Sequence, residues 1–325
     1  MTMMKVKVTM KVDKHLMSND MKQITYIFVC LAFSFITACS TIEKPEITNI
    51  CIGVEDLDFD ISTKASIAIE SNAPQFYWKD TDEVGIFPNA GGYQLGFSLQ
   101  GQGGKKNGSF NGGGWALRPD VAYSTYYPFC FENKNPECIP VSYLGQVQNG
   151  DESLEHLGDY FFCATEPTSS TDGRISFTLR NIGALVWFAI TLPDSDSYSE
   201  ISLVTDGNLF TTEGSYDLKN FVLELSPTKT SDRISLKLEN VSTTSANQVI
   251  NAYMMVAPFD LTGHEYKLYV KTTGGIYYSA DLASKNHVLA RNGSRKISAT
   301  VELSDGYNMG IGEWGNGGSI SGGAE

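Results

Sequence analysis

The chain has 325 residues, of which 11% are aromatic and only 19% charged. That length suggests about two domains, and 16 Tyr with 17 Phe supply ample material for packed cores. The formal net charge of −13 excludes the basic footprint that nucleic acid or an anionic bilayer surface would require, so neither is expected as an electrostatic partner.

Residues 1–20 carry four Lys and five Met, and a better n-region begins at Met21-Lys22. The expected translation start is therefore Met21. Residues 24–38, from Ile24 to Ala38, form an uncharged apolar run that ends in small residues. It is too short for a comfortable membrane span and reads as the h-region of a signal peptide, so 1–38 is a targeting segment. Ile36-Thr37-Ala38-Cys39 resembles the bacterial lipobox. The resemblance implies cleavage between Ala38 and Cys39 and lipid attachment, palmitate included, at Cys39. Ser40 stands where an inner-membrane retention Asp would sit, which favours outer-membrane delivery. Loss of residues 1–38 removes five Lys and two Asp and takes the charge from −13 to −16.

The mature body reads as β throughout. Ile50, Ile52 and Val54 alternate with other residues, and Leu57, Phe59 and Ile61 continue after a one-residue slip. Such alternation marks half-buried strands. Further strands are expected at 84–87, 93–99, 121–127, 174–180, 184–191, 200–204, 221–225, 233–238, 249–256, 265–271, 275–280 and 296–303. Turn formers separate them, among them Asn89-Ala90-Gly91-Gly92, Asn111-Gly112-Gly113-Gly114 and Asp206-Gly207. The spacing predicts two tandem β-sandwich domains, 39–172 and 173–325, divided at the E-P-T-S-S-T-D-G stretch. Residues 151–160 form at most one short helical turn. The tail after Ser304 is Gly-rich and weakly anchored.

Four cysteines remain after maturation: Cys51, Cys130, Cys138 and Cys163. An oxidising envelope permits three pairings, of which Cys130 with Cys138, flanking a short loop, is favoured. No CxxC or neighbouring His supports a metal site, and no metal or cofactor is expected. Gly310-Ile311-Gly312-Glu313-Trp314-Gly315 matches a dinucleotide fingerprint formally, but only ten residues follow it. Residues 101–108, G-Q-G-G-K-K-N-G, read as a mobile loop rather than a phosphate loop. Asp56, Asp58 and Asp60 begin like a calcium loop, yet Ile61 and Ile67 occupy its essential Gly and Glu positions, so the solvent face of a strand is expected. The scattered His residues offer no triad, and the chain is not expected to be an enzyme.

Several stretches, in order, resemble the fimbrillin-like lipoproteins of the Bacteroidetes, the subunits of type V pili. They are Phe76-Tyr77-Trp78-Lys79-Asp80-Thr81-Asp82-Glu83-Val84-Gly85-Ile86-Phe87; Trp115 with Tyr123-Ser124-Thr125-Tyr126-Tyr127-Pro128-Phe129; and Phe177 to Phe188. Gly214-Ser215-Tyr216-Asp217-Leu218, Val256 to Asp260 with Tyr266 to Val270, and Gly293 to Val301 complete the set. In the first stretch Trp78 is expected to fill a core pocket and the acidic turn to be solvated.

The resemblance implies two transthyretin-like sandwiches and a structural or adhesive subunit of a cell-surface pilus, lipid-anchored as precursor in the outer membrane. It implies assembly with other pilus subunits by donor-strand complementation, and as a further partner a host or bacterial surface ligand. The removable, groove-filling strand would lie within 41–61 and carry Ile50, Ile52 and Val54; the donor would come from about 296–325. Some members of that family are cut after Arg. Residues 40–75 contain none, only Lys44 and Lys64, which implies another protease or an anchor or tip role. The alternative is a surface glycan-binding lipoprotein, in which Trp115, Tyr123, Tyr126 and Trp314 stack on sugar faces.

Overall fold

The computed structural model describes residues 47, 49–59, 67–70, 73–101, 103–169, 174–282 and 288–304, all within the unit Pro45–Glu325. Cys39, Ala38, Ile61, Trp314 and the tail after 304 lie outside them. Among the described residues the regular structure is all strand apart from one 3-10 turn at Glu155–Asp159. The all-β expectation holds, and so does the short turn expected within 151–160.

The N-terminal half is built around a ladder that closes on itself. In order around the ring stand the strands Asn49–Val54, Arg174–Asn181, Cys163–Ala164, Tyr123–Tyr127, Glu83–Pro88, Leu95–Leu99 and Asn107–Asn111, the last returning to the first. Strand 174–181 shows why: its side chains alternate exposed and buried along its whole length, placing Ile175, Phe177 and Leu179 inside. Phe76, Trp78, Phe110, Tyr127 and Phe161 fill the interior edge-to-face or stacked, with centroids 4.8–5.4 Å apart.

The second core lies between two sheets. One has the strand order 58–59, 293–300, 184–192, 248–256; the other has 147–149, 233–242, 197–205, 266–272, 277–281, 302–303. Val186, Phe188 and Ile190 of one sheet face Ile201, Leu203, Leu236 and Leu268 of the other in a single buried cluster. On the opposite face of the four-stranded sheet, Leu185, Trp187, Tyr253 and Met255 join the first core. A sheet buried on both faces accounts for the unbroken apolar run Ala184-Leu-Val-Trp-Phe, which shows no alternation.

The halves of the sequence are interleaved. Ile139–Ser142 pairs with Glu213–Asp217, and Val147–Asn149 pairs in parallel with residues 237–239. Residues 58–59 pair in parallel with 293–294.

Candidate functional site

The strand Asn49–Val54 is the best candidate for a functional element, because it closes the ring. On one side it pairs in parallel with 174–179, Ile50 opposite Ile175 and Val54 opposite Leu179. On the other side it pairs antiparallel with 107–110, Ile50 opposite Phe110 and Gly53 opposite Asn107. Ile50 and Ile52 are fully buried and Val54 nearly so. Burial of three such side chains stabilises the seated strand by about 1.5–3 kcal/mol each.

Local chemistry fits the strand to its seat. The indole Nε1–H of buried Trp78 donates to the Ile52 carbonyl at 3.1 Å. Gly108, on the neighbouring strand, is needed because a Cβ there would lie 2.3 Å from Leu99 Cδ1 and 3.2 Å from Trp78 Cδ1. This strand corrects the reading of 101–108 as a loop at its last two residues; the described residues of that stretch before 107 are turn, bend or irregular. Asn107 and Gly108 belong to the ladder, and neighbours on both sides impose the extended form on a sequence of weak strand propensity.

Beyond Val54 the segment remains tied down. The Glu55 amide donates to the Leu179 carbonyl at 2.7 Å, and Arg180 grips the Glu55 carboxylate through Nε and Nη2. Lys106 pairs with Asp56 at 2.9 Å, and the Asn292 side-chain amide donates to the Asp56 carbonyl at 3.1 Å. The Arg180 hydrogen bond holds the Glu55 carboxyl below its ordinary range. One continuous stretch, 49–59, thus serves first as a stave of the ring and then as the outermost strand of the four-stranded sheet.

The acidic turn 80–82 is only half solvated, which corrects the expectation of an open turn. Asp80 is exposed and accepts from the Gly103 amide at 2.9 Å. Asp82 is buried and accepts from the Lys79 amide at 2.7 Å and the Tyr127 hydroxyl at 3.1 Å. Burial lifts its carboxyl above the usual range, against the opposing pull of those two donors. An inward carboxylate is tolerated because both of its oxygens find donors.

The other expected residues are dispersed. Cys130 and Cys138 are exposed thiols on the loop between strands 123–127 and 139–142, and Cys163 is buried within the ring. Tyr123 and Tyr126, assigned to a sugar platform, are buried at 3% exposure each. Tyr126 lies over Gly85, and its hydroxyl takes donors from Gln94, Asn133 and the Cys130 amide. Of that platform Trp115 alone is exposed among the described residues, at 63%. Within the expected donor region, the strand 293–300 already pairs with 185–191 through residues 294–300. Among the described residues no group of three or more His, Cys, Asp or Glu is arranged to hold a metal ion.

No protein-family model and no curated protein sequence matches the chain. Solved structures do. The fold is similar to that of a candidate cell adhesion protein from Bacteroides uniformis, with 16% identity, 70% of this chain and 91% of the other covered, and a TM-score of 0.51. A candidate cell adhesion protein from Bacteroides ovatus is similar over 79% of this chain and 94% of its own, with 13% identity and a TM-score of 0.53. At such identities the likeness is one of fold.

Proposed function

We propose that this protein is a structural or adhesive subunit of a cell-surface fibre, held at the outer membrane as a precursor through an acylated Cys39 and assembled by strand exchange. The observation that carries the reading is the placement of 49–59. Its residues supply the closing stave of the ring and the outermost strand of the second sandwich. Removing that single segment would uncover a continuous seat with apolar walls and unpaired ladder groups from 107–110, 174–179 and 293–294. An extended strand from a neighbouring subunit satisfies both kinds of group at once. The candidate cell adhesion proteins of Bacteroides that share this fold are consistent with the proposal, as are the lipobox-like Ile36 to Cys39 and the ordered aromatic motifs.

Since 293–300 is built into the protein's own sheet, a donor strand of this chain must come from residues beyond 304. A subunit without such a donor occupies the tip or base of a fibre. The Cys130–Cys138 pair remains part of the proposal as a staple of the 128–138 loop.

The test begins with a specific protease site placed within residues 60–66. After cleavage, the chain is expected to form SDS-resistant, heat-labile ladders once the 49–59 peptide is displaced by mild denaturant. A cleaved, refolded product that stays monomeric at all concentrations, and takes up no extended apolar peptide, overturns strand exchange. Mass spectrometry of the native N-terminus is expected to show acylated Cys39 on the precursor; an unmodified Cys39 on membrane-associated protein overturns the anchor.

A further inference from the structure

A sandwich has two open sides, and only one of them is occupied by 49–59. On the other side the four-stranded sheet ends at strand 248–256, whose outward backbone groups should make a template for any passing strand. Over residues 251–255 they are already taken. The Met255 N–H donates to Gln146 Oε1 at 2.8 Å, and the Met255 carbonyl accepts from Gln146 Nε2 at 2.6 Å. Two residues earlier the pattern repeats: the Tyr253 N–H donates to Gln148 Oε1 at 2.9 Å, and Gln148 Nε2 donates to the Asn251 carbonyl at 2.9 Å. His156 Nε2 meets the Tyr253 carbonyl at 2.9 Å, and the Asn251 N–H donates to Asp151 Oδ1 at 2.7 Å.

Each glutamine carboxamide thus reproduces the paired donor and acceptor of a peptide unit. Both side chains are buried, at 1% and 0% exposure. Neither is idle elsewhere, because Gln146 Nε2 also donates to the Tyr143 carbonyl and Gln148 Nε2 to the Gly150 carbonyl. Meanwhile the backbone of the same segment completes the edge of the other sheet, Val147 opposite Lys237 through Asn149 opposite Glu239. One stretch therefore covers both sheets on this side, residues 237–239 of one with main chain and 251–255 of the other with side-chain amides.

We infer that residues 146–156 seal this side of the second sandwich against strand addition and so direct any incoming strand to the opposite side, along 49–59 and 293–300. The inference rests on the proposed strand exchange only for the use made of that opposite side. The seal itself is tested on the uncleaved chain, in which 49–54 is seated and association through the ring is blocked.

In the variant Gln146→Ala/Gln148→Ala, amide exchange within 248–256 is expected to rise at least tenfold while the melting transition remains cooperative. Sedimentation is expected to show concentration-dependent self-association, reversed by adding Val249→Lys, a charge at an exposed position of the same edge. A folded double variant that stays monomeric with unchanged exchange overturns the inference. Should that variant not fold, Asp151→Ala removes only the exposed end of the seal; faster exchange at Asn251 supports the inference, and unchanged exchange overturns it. Ladder formation by cleaved chain fails or succeeds separately from either result.

Discussion

Asp82 and Gly85 show how single positions fix the first core. Asp82→Ala would leave the Tyr127 hydroxyl and the Lys79 amide without their acceptor, and is expected to cost about 1–3 kcal/mol in denaturant unfolding. The pH dependence has a definite sign. Because burial raises the Asp82 carboxyl above its ordinary value of 3.8, the group removes stability as pH climbs from that value through its folded-state pKa. Asp82→Asn should therefore gain on the wild type over that interval, which paired unfolding curves would reveal. At Gly85 an added Cβ would fall 2.1 Å from the Tyr126 ring. Gly85→Ala is expected to destabilise by about 1–3 kcal/mol through displacement of that ring, read as a shift in urea midpoint with unchanged m-value.

The strand 49–59 carries its own electrostatic latch. Glu55 is held below its ordinary pKa by the Arg180 hydrogen bond, so the contribution is present above the unfolded value and fades as pH falls through the folded one. Both groups are more than a third exposed, and solvent screening keeps the effect under about 1 kcal/mol. Arg180→Ala should flatten the acid side of the stability profile by no more than that, and a larger change would show that the pair does more than latch.

Strands with clean alternation, such as 49–54 and 174–181, could be read from their residues alone, and Ile50, Ile52 and Val54 lie inside as their spacing requires. Strand 107–111, Asn-Gly-Ser-Phe-Asn, could not, because its extended form is imposed by neighbours rather than by propensity. The same holds for Ile139–Ser142, which contains a proline, and for Val147–Asn149, whose role depends on glutamines that look like ordinary loop residues. Burial of Tyr126 and Tyr123 removes them from the alternative sugar platform, since aromatic alternation signals a buried face more often than a binding surface.

For the whole molecule, the four-stranded sheet is a wall shared by two cores, so the halves should not melt apart. A single cooperative transition is expected in calorimetry; two resolved transitions would contradict it. A chain beginning at residue 66 should be poorly folded alone and regain its native circular dichroism when a peptide spanning 47–59 is supplied. Failure of the peptide to rescue would show that the segment is not a separable stave.

The two neighbours of strand 49–54 run in opposite senses, one parallel to it and one antiparallel. Tension applied along this strand cannot peel it from a hairpin end. Every rung on both flanks is strained together, so rupture in shear demands the simultaneous loss of two ladders. Under a pulling probe, extraction of this segment should register as one abrupt high-force event rather than a graded series of small steps.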